Sequence, residues 1–349
     1  MSGAGADYEQ AKADWTAAGL APLWESAVSH KPNGGAAPLL AWRWADLEPH
    51  IERAIRLVSP ADVERRVLLF ADPALSSPGR AQTSRMLNAG LQILLPGESA
   101  RAHRHTIDAI RLVLEGSGAI TRVDGRDCRM EPGDLVLTPG GTWHEHIHAG
   151  DAPIVWLDGL NGPMHRFLGT ALFETGPGPA FDSPGEDPAT DAAFRPETVD
   201  AQAGARLFRF SYERLVAALD AAPLTSMGFA RVRYVNPDTG DNAVPLMDLS
   251  AIRVPAHGST IPFRTNATTI NVVLEGEGVT HCGDQAFEWR RRDVFVTPAN
   301  AFALHQAKAS GARIFQMSDR EIYRRLGLLQ EACGNAGAAE GAAVARSAK

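Results

Sequence analysis

The sequence predicts an all-β chain built from two β-barrel or jelly-roll domains behind an N-terminal helical segment. Three observations lead there. From about residue 85, short apolar runs such as "LQILLPGES", "IRLVLEGSGAITRV" and "GDLVLTPGGTW" are broken by Gly, Pro and Asp at close spacing, the texture of sandwiches and barrels. Residues 112–139 recur as residues 272–298 with one residue deleted; both copies keep V-L-E-G-x-G, an aspartate (Asp134, Asp293) and a closing T-P. An offset that long is not a solenoid period and indicates a duplicated β domain. Finally, 349 residues with 44% hydrophobic and 21% charged side chains are enough for two ordinary globular domains.

Taken in order, residues 1–75 are expected to be helical. In "DYEQAKADWTAAGLAPLWESA" the residues Tyr8, Ala11, Trp15 and Leu20 fall near helical spacing, and in "SPADVERRVLLF" Ser59 reads as an N-cap with Pro60 at the first helical position. Residues 76–174 form the first barrel. Residues 175–240 are a linker and connecting segment that opens on the Pro/Gly/acidic "TGPGPAFDSPGEDPATD". Residues 241–325 form the second barrel, and residues 326–349 a tail whose "CGNAGAAEGAAVARSAK" lacks large apolar side chains and is expected to fray.

Composition excludes several classes of function. A net charge of −7 argues against a nucleic-acid surface, which needs a basic face. No apolar run is long enough for a membrane span. The polar, acidic start lacks the basic and apolar regions of a signal peptide. Three scattered cysteines (Cys128, Cys282, Cys333) with no CxxC pair suit a reducing cytoplasm.

The chemistry is concentrated in histidine. Five of the eleven histidines lie in "RAHRHT" (101–106) and "GTWHEHIH" (141–148). In a strand, His103 and His105 project from one face while Arg104 points the other way. A third imidazole from a neighbouring strand would complete one face of an octahedron, a donor set that suits Fe, Zn, Cu or Ni and leaves positions open. The plainer alternative is a polar strand end; a second histidine pair across a glycine-rich hairpin weighs against it. His146, two residues beyond His144, can ligate or hydrogen-bond a substrate.

"GESARAHRH" fits the first cupin motif, Gly-x5-His-x-His, through Gly97, His103 and His105, and "GDLVLTPGGTWH" fits the second through Gly133, Pro139, Gly141 and His144. The glutamate usual after the histidine pair is missing, with Ala109 and Ile110 in its place, which leaves three histidines. More narrowly, "LQILLPGESARAHRHTIDAIRLVLEG", "TWHEH" and "VWLDGL" resemble the gentisate and salicylate 1,2-dioxygenases, all-β bicupins with Fe(II) in one half. The resemblance spans residues 40 to 320 or so. It implies Fe(II) on His103, His105 and His144, a small aromatic carboxylate and O2 as reactants, ring cleavage between the carboxyl- and hydroxyl-bearing carbons, and a homotetramer.

The resemblance also implies roles around the iron. His146 would contact substrate and transfer a proton, and His148 would be a solvated strand-end residue. Arg111 returns to the face of the histidine pair; an arginine inside a barrel is costly unless it meets an anion, and its fork suits an aryl carboxylate. Asp158 in "WLDG" would be its partner or a substrate contact, Gln92 a polar wall, and Arg66 a second carboxylate contact. Relatives tend to carry an aromatic residue, commonly Trp, where this chain has Asn88. That exchange, with the room left by Gly90, makes salicylates with other 5-substituents, such as nitro, plausible beside gentisate. In the second half Phe263 and Thr265 replace the histidine pair, Asn271 replaces Arg111 and Ala303 replaces His144; His305 alone survives, matching His146. The second cupin is therefore expected to be metal-free. Two competing readings are a non-enzymatic small-molecule binder and a Zn- or Mn-dependent isomerase or hydrolase.

Overall fold

A computed structural model describes residues 3–18, 20, 22, 37–59, 63–177, 208–237 and 239–334. The chain separates into two units, Met1–Ala37 and Pro38–Lys349. In the first, α1 (Gly3–Ala17) carries Tyr8 and Trp15 edge to face at 6.0 Å. Leu20 lies past its end and is exposed.

The second unit is mostly strand. It runs β1 (Leu40–Trp42), α2 (Trp44–Leu57), β2 (Val67–Leu69), β3 (Asn88–Leu94), β4 (Ser99–His105), β5 (Ala109–Glu115) and β6 (Ala119–Val123). Then follow β7 (Arg126–Met130), β8 (Leu135–Thr138), β9 (His144–His148), β10 (Ile154–Leu160), α3 (Gly162–Leu168) and β11 (Phe173–Thr175). The second half has β12 (Arg209–Phe210), α4 (Tyr212–Ala221), β13 (Ala230–Arg233), β14 (Asp248–Val254), β15 (Phe263–Thr265) and β16 (Thr269–Cys282). It closes with β17 (Gln285–Arg290), β18 (Val294–Thr297), β19 (Ala303–Ser318), α5 (Arg320–Arg325) and β20 (Glu331–Cys333).

Two sheets, β12-β8-β5-β10-β3-β2 and β11-β4-β9-β6-β7, make the first barrel. The second is one nine-stranded sheet, because β16 and β19 run unbroken where the first barrel uses two strands each. The repeat's first glycine explains itself here. Gly116 and Gly276 have φ of +80° and +84°, and a Cβ would sit 2.3 Å from the Pro153 carbonyl or 2.0 Å from that of Gly311, so no other residue fits.

The repeated aspartate is a latch. Asp134 accepts the Tyr212 N–H and pairs with Arg209, while Asp293 accepts the Trp44 N–H. Each barrel thus holds the segment that leads into the other, with β1 pairing β18 and β12 pairing β8. Between the barrels, Leu91, Leu112 and Leu157 join Leu249, Val272 and Met317 in one buried cluster. Alternation then forces the other face inward. Leu94, Val113 and Trp156 plug one end of the first barrel, and Gln92, Arg111 and Asp158 lie next along the same strand faces.

Several expectations need correcting. The stretch expected to be helical also supplies two strands, β1 and β2. Residues 60–62, which include the expected first helical position Pro60, lie outside the described residues. Val67–Leu69, however, is paired to β3, and a short apolar run of this kind serves a buried strand as well as a helix. Linker residues 178–207 and tail residues 335–349 are also outside the described residues. Cys333, placed in the tail, belongs to β20, which pairs with β15.

Candidate active site

Pairing of β4 with β9 sets His103 directly opposite His144, and strand alternation adds His105 on the same face. The ring centroids are 4.1 Å (His103–His144), 4.9 Å (His105–His144) and 5.5 Å (His103–His105) apart. One nitrogen from each lies within 4.8 Å of the others, and among the described residues no other group of three such donors gathers.

The tautomers are set from behind. Each Nδ1 lies beside a backbone carbonyl: Arg101 O at 2.8 Å for His103, Ile107 O at 2.6 Å for His105 and Thr142 O at 3.1 Å for His144. A carbonyl only accepts, so Nδ1 carries the proton and Nε2 presents its lone pair. The Nε2 atoms of His105 and His144 are buried without a hydrogen-bond partner. Burial, reinforced by nearby arginines, pulls His103 down to about 3 and His105 to about 4, and holds His144 well below the usual range. Three neutral imidazoles with converging lone pairs are the donor set of a divalent metal.

His146 lies outside this trio. Arg111 Nε donates to its Nε2 at 3.1 Å, so its Nδ1–H is directed at Thr121 Oγ1, 2.9 Å away. The Thr121 hydroxyl in turn donates to Met130 Sδ. Both ring nitrogens are spent, and burial holds the ring neutral. Arg111, 1% exposed, also donates to Thr138 Oγ1 at 2.6 Å and lies 3.6 Å from Asp158 Oδ1. Burial lowers its guanidinium to about 10. Its Nη2 makes no hydrogen bond among the described residues. Asp158 accepts from Trp156 Nε1 at 2.8 Å, and burial raises its carboxyl despite the opposing pull of Arg111.

The remaining expected residues divide. Gln92 is fully buried with neither side-chain atom hydrogen-bonded. Asn88 Oδ1 accepts the Thr83 N–H at 3.0 Å, which leaves only its Nδ2 unspent. Gly90 does not leave room: a Cβ there would sit 2.8 Å from Leu68 O, so β2 already uses the space. Arg66 is not at the site. Its guanidinium is consumed by Glu98 (2.8 and 2.9 Å) and by Val58 O. Its neighbour Arg65 reaches His103 Nε2 instead, because Val67 lies opposite Gln92 and a residue two positions earlier shares that face. His148 is buried rather than solvated, with Nε2 against Ala152 O at 2.7 Å and Nδ1 accepting the Gly150 N–H. Sequence reasoning also missed Phe173, which stacks on His103 (5.4 Å) and His105 (6.3 Å) because β11 pairs β4.

In the second barrel the same register holds other residues. Phe263 lies opposite Ala303 as His103 does His144, and Gln316 pairs with Asn271 as Asp158 does Arg111. Thr280 Oγ1 meets His305 Nδ1 at 2.7 Å, copying Thr121 and His146.

A cupin domain model matches residues 90–159. The chain is 36% identical over 325 residues to gentisate 1,2-dioxygenase 1 of Aquipseudomonas alcaligenes, covering 89% of this chain and 92% of that one. It is 33% identical to 5-aminosalicylate 1,2-dioxygenase of Comamonas sp., covering 93% and 90%. Its fold superposes on salicylate 1,2-dioxygenase of Pseudoaminobacter salicylatoxidans, solved as adducts with gentisate, with a TM-score of 0.84, 28% identity and 94% of each chain covered. No helix among the described residues is long and apolar enough to cross a membrane.

Proposed function

The chain belongs to the family of gentisate- and salicylate-type 1,2-dioxygenases, and from that premise we propose that it opens a 5-substituted salicylate on Fe(II) held by His103, His105 and His144. It is a ring-cleaving dioxygenase; the choice of iron, the ring substituent and the role of each residue are our reading. One observation carries it: the buried, unpartnered Nε2 atoms of His105 and His144 beside His103. A buried polar atom without a partner costs about 1–3 kcal/mol, and a metal ion shared with His103 removes that cost for His105 and His144 together. Bound there, Fe(II) supplies the redox chemistry that lets O2 react with the ring.

The side chains around it bind and orient the substrate. Arg111 offers Nη2, its one unspent edge, to the substrate carboxylate, and an anion there offsets the desolvation that depresses its pKa. Arg65, not Arg66, is the second cation. His146 keeps Arg111 aimed, and its Nε2 accepts the substrate hydroxyl's proton when the carboxylate draws the Arg111 Nε–H away. Asp158 balances the guanidinium, while Gln92 and the Nδ2 of Asn88 face the ring edge. Phe167, Leu168, Leu172 and Phe173, exposed by 80%, 59%, 70% and 52%, support assembly with further copies, as in a homotetramer. Free cysteines at all three positions support a reducing, cytoplasmic setting.

The test is anaerobic loading with Fe(II), Zn(II) or Mn(II), followed by oxygen uptake with gentisate, salicylate and 5-nitrosalicylate. Equimolar uptake with at least one of these, only in the Fe(II) protein, is expected. Turnover that is equal with Zn(II), or no uptake with any of them, overturns the reading.

A further inference from the structure

The second barrel has lost the donors of the first but has not filled the space. A cavity of about 310 Å³ remains, with Phe263, Ala303 and His305 on its wall where the first barrel has His103, His144 and His146. Small barrels normally pack their interiors with side chains, and a volume of this size is at the lower end of ligand pockets.

Its charges are already balanced. Asp248, 2% exposed, takes Arg231 Nη2 on Oδ2 at 2.9 Å, with Arg320 Nη1 at 3.7 Å. Arg320 is held bidentately by Glu331 at 2.7 and 2.8 Å. Two arginines therefore face two carboxylates. What remains unspent is one buried acceptor, Asp248 Oδ1, which has no partner, and N–H groups of Arg231 beyond the Nη2 that serves Asp248 and Ser250. A hydroxyl answers both, since it donates one hydrogen bond and accepts another. A carboxylate meets only the second condition: it can accept from Arg231 but cannot donate to Asp248, and it would add an unbalanced charge to a part-buried site whose ion pairs are already matched. Phe229, Ile252 and Phe263 supply an apolar wall for a ring.

We infer that the second barrel binds a small uncharged phenol without a metal, its hydroxyl donating to Asp248 and accepting from Arg231. This site is independent of the ring-cleavage reading and is measured without turnover.

Calorimetry on the full-length protein, stripped of metal by chelation, uses phenol and benzoate as probes. Phenol should bind with one equivalent per chain in this barrel, at least tenfold more tightly than benzoate. Ala303→Leu, which fills the cavity, should weaken phenol at least tenfold while the melting temperature is kept. If Ala303→Leu does not fold, Ile252→Phe fills the same space from β14 and carries the same expectation. Absence of phenol binding, benzoate binding that is as tight as phenol's and is lost in the filled variant, or full phenol affinity in the filled variant overturns the inference; benzoate binding that the filled variant keeps belongs to the arginines of the first barrel.

Discussion

The two barrels share a frame and differ in what they leave unpaired. Both keep a threonine–histidine hydrogen bond, Thr121–His146 and Thr280–His305. Both keep a threonine under the residue that faces the site, Thr138 under Arg111 and Thr297 under Asn271. The first barrel then points two unpartnered imidazole nitrogens and an unpartnered Gln92 amide inward. The second replaces the histidine trio by Phe263, Thr265 and Ala303 and closes its ion pairs on themselves. The comparison teaches that the cupin frame costs little to keep, whereas converging buried lone pairs are retained only where something binds them.

The sharpest way to break this comparison is to make the first barrel into the second. The triple variant His103→Phe, His105→Thr, His144→Ala should lose bound metal and all ring cleavage. It should nonetheless fold, with a melting temperature in chelator no lower than that of the parent, because partnerless buried nitrogens are removed. Any one of these histidines replaced singly by Ala should lower metal affinity by more than the ~10–100-fold typical of losing an outer partner. A melt that collapses in chelator would show that the trio is structural.

A second effect isolates the surviving imidazole of the metal-free barrel. Burial puts His305 at about 4 in the folded chain against an ordinary 6.5. Between those values the unfolded chain takes up the proton and the folded one does not, so stability falls as pH drops from 6.5 to 4 and is unaffected above that window. The full difference is at most about 3 kcal/mol. His305→Gln should flatten the fall of melting temperature across that window, relative to the parent. Parallel curves for the two proteins would contradict the burial argument.

Arg111→Met comes next. Losing one charge-assisted contact should lower kcat/KM for a salicylate by about 10–100-fold, or 1.5–3 kcal/mol, with metal retained. Unchanged kinetics would make Arg111 a strut for His146. The smallest effect is at Asn88, whose Oδ1 is already held by Thr83. Asn88→Trp should shift the ratios of kcat/KM among gentisate, salicylate and 5-nitrosalicylate by a few-fold to ~10-fold, as shape alone permits. If all three change by one common factor, Asn88 does not read the substituent.

The gathering of His103, His105 and His144 is legible in the sequence because cupin spacing maps onto strand alternation and the pairing of β4 with β9. The duplicated barrels are legible because the repeat preserves the glycines that the turns require. Arg65 is not, since choosing it over Arg66 depends on knowing that Val67 pairs with Gln92, in a stretch whose apolar run also reads as helix. Phe173 arrives by pairing with a strand far upstream, which no local pattern announces. His148 is held by a local turn, its ring between the Gly150 N–H and Ala152 O, which a strand-end pattern does not tell apart from a solvated imidazole. The role of Asp134 and Asp293 as crossed latches shows only when both lead-in segments are placed.

The central claim is that one barrel binds metal and the other does not. Metal analysis of the protein after saturation with Fe(II) under anaerobic conditions tests it most directly, beside His144→Ala and His305→Ala. One iron per chain is expected in the parent and in His305→Ala, and almost none in His144→Ala. Two irons per chain, a halving in His305→Ala, or full occupancy in His144→Ala would contradict it.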